Sequence, residues 1–166
     1  MIYLGIDPDK GGALATLDED GSLFVHDTPI FDAGKGDYDI AGILSLLRTY
    51  AGHKDAKAVI EASPPMPPRA EFGGGLANWW RGRSGAVWET ALAAVEVPRE
   101  RVSAQKWKNA LGLKGAEHDA LRAKACELFP GRADLFRLKK SHGRAAATLI
   151  AEYRRRLDRK EASHAR

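Results

Sequence analysis

Cysteine is nearly missing from this 166-residue chain, where Cys126 stands alone. One thiol cannot close an intramolecular disulfide or supply a cysteine zinc cluster, which excludes disulfide scaffolds and zinc fingers. Long hydrophobic runs are also absent. The opening apolar stretch, Ile2 to Ile6, stops at Asp7. It is too short to cross a bilayer and lacks the flanks of a secretory leader. The expectation is a soluble protein with no signal peptide, no membrane span and no membrane partner. No internal repeat or low-complexity tract is visible. One domain over 1–158 with a frayed polar tail over 159–166 is therefore expected.

Net charge is only +4, but it is unevenly spread. Residues 1–50 carry 3 basic and 9 acidic side chains, whereas residues 101–166 carry 17 basic and 7 acidic. A basic second half beside an acidic first half suits a polyanion held next to an acid-lined site. An unevenly charged solvated surface would read the same way.

Hydrophobic periodicity predicts the elements. Ile2–Ile6 reads as a buried strand, Ala13–Leu17 as a second and Leu23–His26 as a third, with a hairpin turn at Asp18-Glu19-Asp20-Gly21. Ile40, Ile43, Leu44 and Leu47 lie at helical spacing within 38–50. Ala56–Ile60 predicts a strand parallel to the first, ended by Glu61. Ser63–Pro68 holds four prolines and cannot be regular. Residues 69–83, rich in Gly, Arg and Trp, read as a long surface excursion that returns as a helix over 84–95 carrying Trp88. Arg101–Ser103 reads as an edge strand. Further helices are expected over 105–111, 117–128 and 143–157. A meander, a crossover helix and a parallel strand make a mixed α/β sheet.

Asp7 and Glu61 each end a strand, and strand ends carry sites because side chains there leave the packed core. Two close carboxylates share a proton, pair with a base or bind a cation, and hard oxygens suit Mg²⁺ or Mn²⁺. Turn capping by Asp7 and a solvated Glu61 are the ordinary alternatives. Asp9 adds a third acid, or caps the glycine turn. His142 opens the last helix and suits a ligand or a proton-transfer role. Four residues on, the same helix face carries Ala146, which can bind nothing.

The phosphate-facing candidates are cationic and aromatic. Lys139, Lys140 and Arg144 crowd the start of the last helix. Lys106 and Lys108 bracket Trp107, which is read as a buried anchor rather than a stacking platform. Arg69, Phe72, Gly74, Trp79, Trp80, Arg81 and Arg83 offer aromatic wedges, arginines and permissive backbone for opened DNA.

These segments resemble a known family. GIDPDKGGALATL, IEASPPMPP, QKWKNALGL, LFP and KKSHGRAAATLIAEY, in that order, look like the junction-resolving endonucleases of RuvC type, with the plant chloroplast resolvase branch nearer. The resemblance spans about residues 2–157. Actin-like ATPases share the opening motif, but they need a second lobe for which this chain is short. The resemblance implies a ribonuclease-H-like mixed five-stranded sheet flanked by helices. It implies Asp7, Glu61 and His142 as metal and catalytic residues, Asp9 as an accessory acid, and a glycine- and tryptophan-rich loop at the junction centre. It also implies one or two Mg²⁺ ions (or Mn²⁺), a homodimer, symmetric cutting of four-way DNA junctions to 5′-phosphate nicks, and a preference near cytosine.

The chain departs from that pattern at Ala146, where the last carboxylate is expected. A naturally weakened site and an introduced substitution that traps uncleaved DNA both fit, and the intact neighbouring landmarks favour the second. Impaired cleavage with retained binding is expected, and a non-catalytic junction-binding protein is the alternative. The expected setting is the nucleoid of a bacterium or a phage-infected cell, or an organelle if a transit segment has been removed.

Overall fold

The computed structural model describes residues 1–32, 36–52, 55–64 and 74–164. A meander of β1 (Ile2–Asp7), β2 (Ala13–Asp18) and β3 (Leu23–Asp27) opens the chain, followed by α1 (Ile40–Ala51) and β4 (Ala56–Ala62). Then come α2 (Gly74–Ala94), β5 (Arg99–Ser103), α3 (Ala104–Ala110), α4 (His118–Leu128) and α5 (His142–His164). Two 3₁₀ segments, Pro130–Phe136 and Lys139–Ser141, link the last two helices. The sheet order is β3-β2-β1-β4-β5. β1–β2 and β2–β3 are antiparallel, and β1–β4 and β4–β5 are parallel. This is the expected mixed five-stranded sheet with helices on both faces.

Alternation along the strands sends side chains to opposite layers. On β1, Leu4 and Ile6 join Ile43, Leu47, Trp88 and Leu92 under α1 and α2. Tyr3 points the other way, into a core with Val59, Trp107, Phe136, Leu149 and Ile150 under α5. Gly5 shares that second face and permits a very close approach of α5. A Cβ there would lie 2.1 Å from the Ala147 carbonyl oxygen and 2.4 Å from the Ala151 nitrogen. The sequence gives α5 an alanine-rich face, and Gly5 lets its backbone rest on β1.

Several boundaries differ from the sequence expectation, each for a local reason. The tryptophan-rich stretch from Gly74 to Arg83 is helical, not a loop. Ser84, Trp88, Ala91 and Leu92 are buried at helical spacing, and this stripe carries the helix through glycines 75, 82 and 85. Tyr38 precedes α1 rather than opening it. Asp39 caps the helix, its carboxylate accepting from the Gly42 amide at 2.9 Å. Tyr38 is buried and its hydroxyl lies 2.6 Å from Ser84 Oγ. β4 runs through Glu61 to Ala62, because β5 pairs with both. The end expected to fray is helical to His164, held to the β2–β3 turn by Arg159, whose Nη2 donates to the Glu19 carbonyl at 2.6 Å. Arg69 and Phe72 lie outside the described residues.

Candidate active site

The β1–β4 register pairs Ile6 with Ile60, so Asp7 and Glu61 follow side by side at the carboxyl ends of neighbouring parallel strands. By alternation both face the α5 layer, in step with Gly5 and Val59. Both are half-buried. Burial pushes the Asp7 carboxyl up to about 8, with Glu61 and Asp9 adding to the rise. The Asp9 amide hydrogen bond and the Lys108 charge oppose it without cancelling it. Burial also raises Glu61. Trp107 and Lys108 restrain that rise, and Asp9 adds to it. Burial thus raises both carboxyls, Asp7 up to about 8.

Glu61 is fixed by a side chain expected to be a buried anchor. Trp107 is fully buried, and its Nε1 donates to Glu61 Oε2 at 2.7 Å. α3 sets that ring in place. Ser103 caps the helix by accepting from the Lys106 amide at 3.2 Å. Lys108, expected to face DNA, turns inward. Its Nζ donates to the Ala116 carbonyl at 3.1 Å, lies 5.6 Å from the Trp107 ring centre and acts electrostatically on both acids. Lys106 is exposed.

The start of α5 closes the other side. Gly143 sits on the Gly11-Gly12 turn, where a Cβ would meet the Gly11 carbonyl oxygen at 2.2 Å. His142 is half-buried, and its ring centre lies 4.4 Å from that of His118 at the start of α4. Nothing in the sequence spacing links these two histidines. Ala146 is 7% exposed, one helical turn beyond His142. Among the described residues, no three His, Cys, Asp or Glu side chains converge on one metal position. Ala146, where the sequence resemblance leads one to expect a last carboxylate, carries no ligand atom. Glu152 does not replace it, because it is buried and bound by Arg155 Nε at 2.8 Å and Arg156 Nε at 2.6 Å.

The aromatic cluster lies against the same turn. Lys10 Nζ stands 3.7 Å from the Trp80 ring centre, and Trp79 meets Trp80 edge-on at 4.6 Å. Trp79 is 54% exposed. Arg83 lies 5.4 Å from the Trp79 ring centre and pairs with Asp37 through Nε at 3.1 Å and through Nη2. Arg81 Nη1 reaches Asn78 Oδ1 at 3.5 Å, and Gly74 is the first residue of α2. Lys139 and Lys140 are exposed, whereas Arg144 pairs with Asp27. Lys10 stands inside the opening motif, and only the fold brings it to Trp80.

This sheet, with paired acids at the ends of β1 and β4 and a long helix across them, has the ribonuclease-H-like architecture. Two solved structures share it. Thermus thermophilus RuvC superposes with a TM-score of 0.54 at 16% identity, covering 95% of this chain and 97% of that one. T. thermophilus RuvC in complex with Holliday junction substrate gives 0.54 at 17%, covering 95% and 96%. The chain therefore has the RuvC fold. In sequence, it is 37% identical over 89 residues to the chloroplastic Holliday junction resolvase MOC1 of Chlamydomonas reinhardtii. That match takes in 53% of this chain and only 10% of the length of that protein. No family model matches the chain.

Proposed function

We propose that the chain is a structure-selective endonuclease of the junction-resolving kind, binding four-way DNA junctions as a homodimer. The observation that carries this reading is the Asp7–Glu61 pair, two half-buried acids on neighbouring strand ends with Asp7 pushed up to about 8. A divalent cation offsets both the burial and the added repulsion that raise Asp7, and the donors are hard oxygens, so the pair fits Mg²⁺ or Mn²⁺. The RuvC fold and the local likeness to a chloroplastic resolvase support DNA junctions as the substrate class.

In this reading Asp7 and Glu61 hold the ion, with Trp107 keeping Glu61 in one orientation. The ion, when bound, supplies charge neutralisation at phosphate and a more acidic water. His142 positions the attacking water or takes its proton. Asp9 orients the turn and adds negative charge beside the site. Lys106, Lys139 and Lys140 neutralise backbone phosphates, while Trp79 meets opened bases. The products are symmetric 5′-phosphate nicks. Ala146 leaves the site one acid short, so this chain binds junctions and cuts them poorly.

That missing acid also favours a second reading, a junction-binding protein without catalysis. Comparing the chain with Ala146→Asp and Ala146→Glu on four-way, forked and linear DNA separates the two. Binding by all three, with Mg²⁺-dependent cutting gained only in the acid variants, supports the nuclease reading. Binding without any gain supports the binding module. Brisk cutting by the parent chain overturns the impairment, and failure of all three to bind junctions overturns the whole assignment.

A further inference from the structure

We propose that a second phosphate of the DNA backbone is held in the pocket between the Gly11-Gly12 turn and the start of α5, beside the phosphate at the carboxylate pair. The inference rests on the junction-nuclease reading. The pocket encloses about 370 Å³ and opens on the β3 side of the turn. Lys10 enters it from the turn, and Lys140, Ser141 and Arg144 enter from the segment that starts α5. Lys10 follows Asp7 by three residues and Ser141 immediately precedes His142, so the pocket is lined by the same two segments that carry these candidate site residues.

The charge balance favours an anion. Asp27 is the one carboxylate lining the pocket, and it is already spent. Its oxygens accept from Arg144 Nε at 2.6 Å and Nη2 at 2.5 Å, which holds the carboxyl below its usual range. That pair is neutral and fixes the guanidinium with Nη1 outside it. Two positive charges remain. Lys10 rests against the Trp80 ring at 3.7 Å and acts on Asp37 only through space, and Lys140, which adds to the pull on Asp27, is exposed.

Ser141 provides an independent sign. It is only 4% exposed and lines the pocket. Its amide donates to the Leu138 carbonyl at 2.8 Å, but its hydroxyl has no hydrogen bond among the described residues. The oxygen is not itself sealed from solvent, so it opens onto the pocket, where it can donate to an acceptor. An anionic oxygen supplies one, and no aromatic ring is among the residues lining the pocket to hold a base instead. A tetrahedral phosphate suits the set.

The test measures affinity of the full chain for a labelled four-way junction over a range of salt. Lys10→Gln and Lys140→Gln should each weaken binding about three- to tenfold and flatten the slope of log affinity against log salt by about one. Ser141→Ala should weaken binding about threefold with the slope unchanged, because it removes a hydrogen bond and no charge. Lys160→Gln, about 27 Å away along α5, should change neither quantity. If the parent binds and the pocket variants match it, the pocket proposal fails while the junction reading stands. If the parent does not bind DNA, the junction reading fails. Titration with inorganic phosphate, followed at the Ser141 and Gly12 amides by NMR, then decides the pocket. Shifts abolished by Lys140→Gln keep it as a phosphate site, and unmoved amides overturn it.

Discussion

Gly143 lies on Gly11 so closely that a Cβ at 143 would stand 2.2 Å from the Gly11 carbonyl oxygen. This contact sets how near α5 comes to the turn behind Asp7, and hence where His142 and position 146 stand relative to the acids. Gly143→Ala should cost about 1–3 kcal/mol through overpacking. It should also weaken junction binding, because the basic start of α5 is pushed off the turn. Thermal melts and anisotropy check the two effects, and unchanged values for both would show that the contact yields without consequence.

Asp7 makes stability depend on pH. Its carboxyl sits at about 8 in the folded chain against an ordinary 3.8, so the folded state favours the protonated acid. The associated stability is fully present below about pH 4 and is lost as pH rises through about 8. Asp7→Asn keeps the shape without the charge. In metal-free buffer its melting temperature should pull ahead of the parent between about pH 5 and 8 and then hold that lead. Mn²⁺ should raise the parent's melting temperature most at the alkaline end and leave Asp7→Asn nearly unmoved. A gap between the two proteins that ignores pH would contradict the raised carboxyl.

Trp107→Phe keeps most of the buried ring and removes the 2.7 Å bond to Glu61. The loss should be about 1–3 kcal/mol in denaturant melts. Glu61 should rise further, since the indole is what holds it down most. Mn²⁺ affinity, read by calorimetry near neutral pH, should fall with it. A stability loss with intact Mn²⁺ affinity would make the tryptophan a packing residue only.

Trp79 and Trp88 should separate cleanly. Trp79 is 54% exposed and Trp88 is fully buried. Trp79→Ala should leave stability within about 0.5 kcal/mol and lower junction affinity by about 1–3 kcal/mol if bases stack on it. Trp88→Ala should cost about 3–5 kcal/mol of stability. Full junction affinity in Trp79→Ala would remove that ring from the DNA surface.

Much of this protein was readable along the chain because its signals are local. Apolar alternation and turn residues marked β1, β2, β3 and β4, and helical spacing of Ile40, Ile43, Leu44 and Leu47 marked α1. Asp7 and Glu61 could be singled out because each closes a hydrophobic run. The boundary of α2 could not be read, since its glycines and tryptophans look like a loop until Ser84 meets Tyr38 and Trp88 meets the sheet. Only the tertiary structure decided the pairings across long separations. It set Asp7 beside Glu61, Trp107 on Glu61, His118 against His142 and Lys10 on Trp80. It also turned Lys108 inward and bound Arg144 to Asp27. The physical reason is that periodicity fixes which face a residue occupies, whereas the partner on that face depends on strand order and on how closely α5 can approach, which Gly5 and Gly143 control.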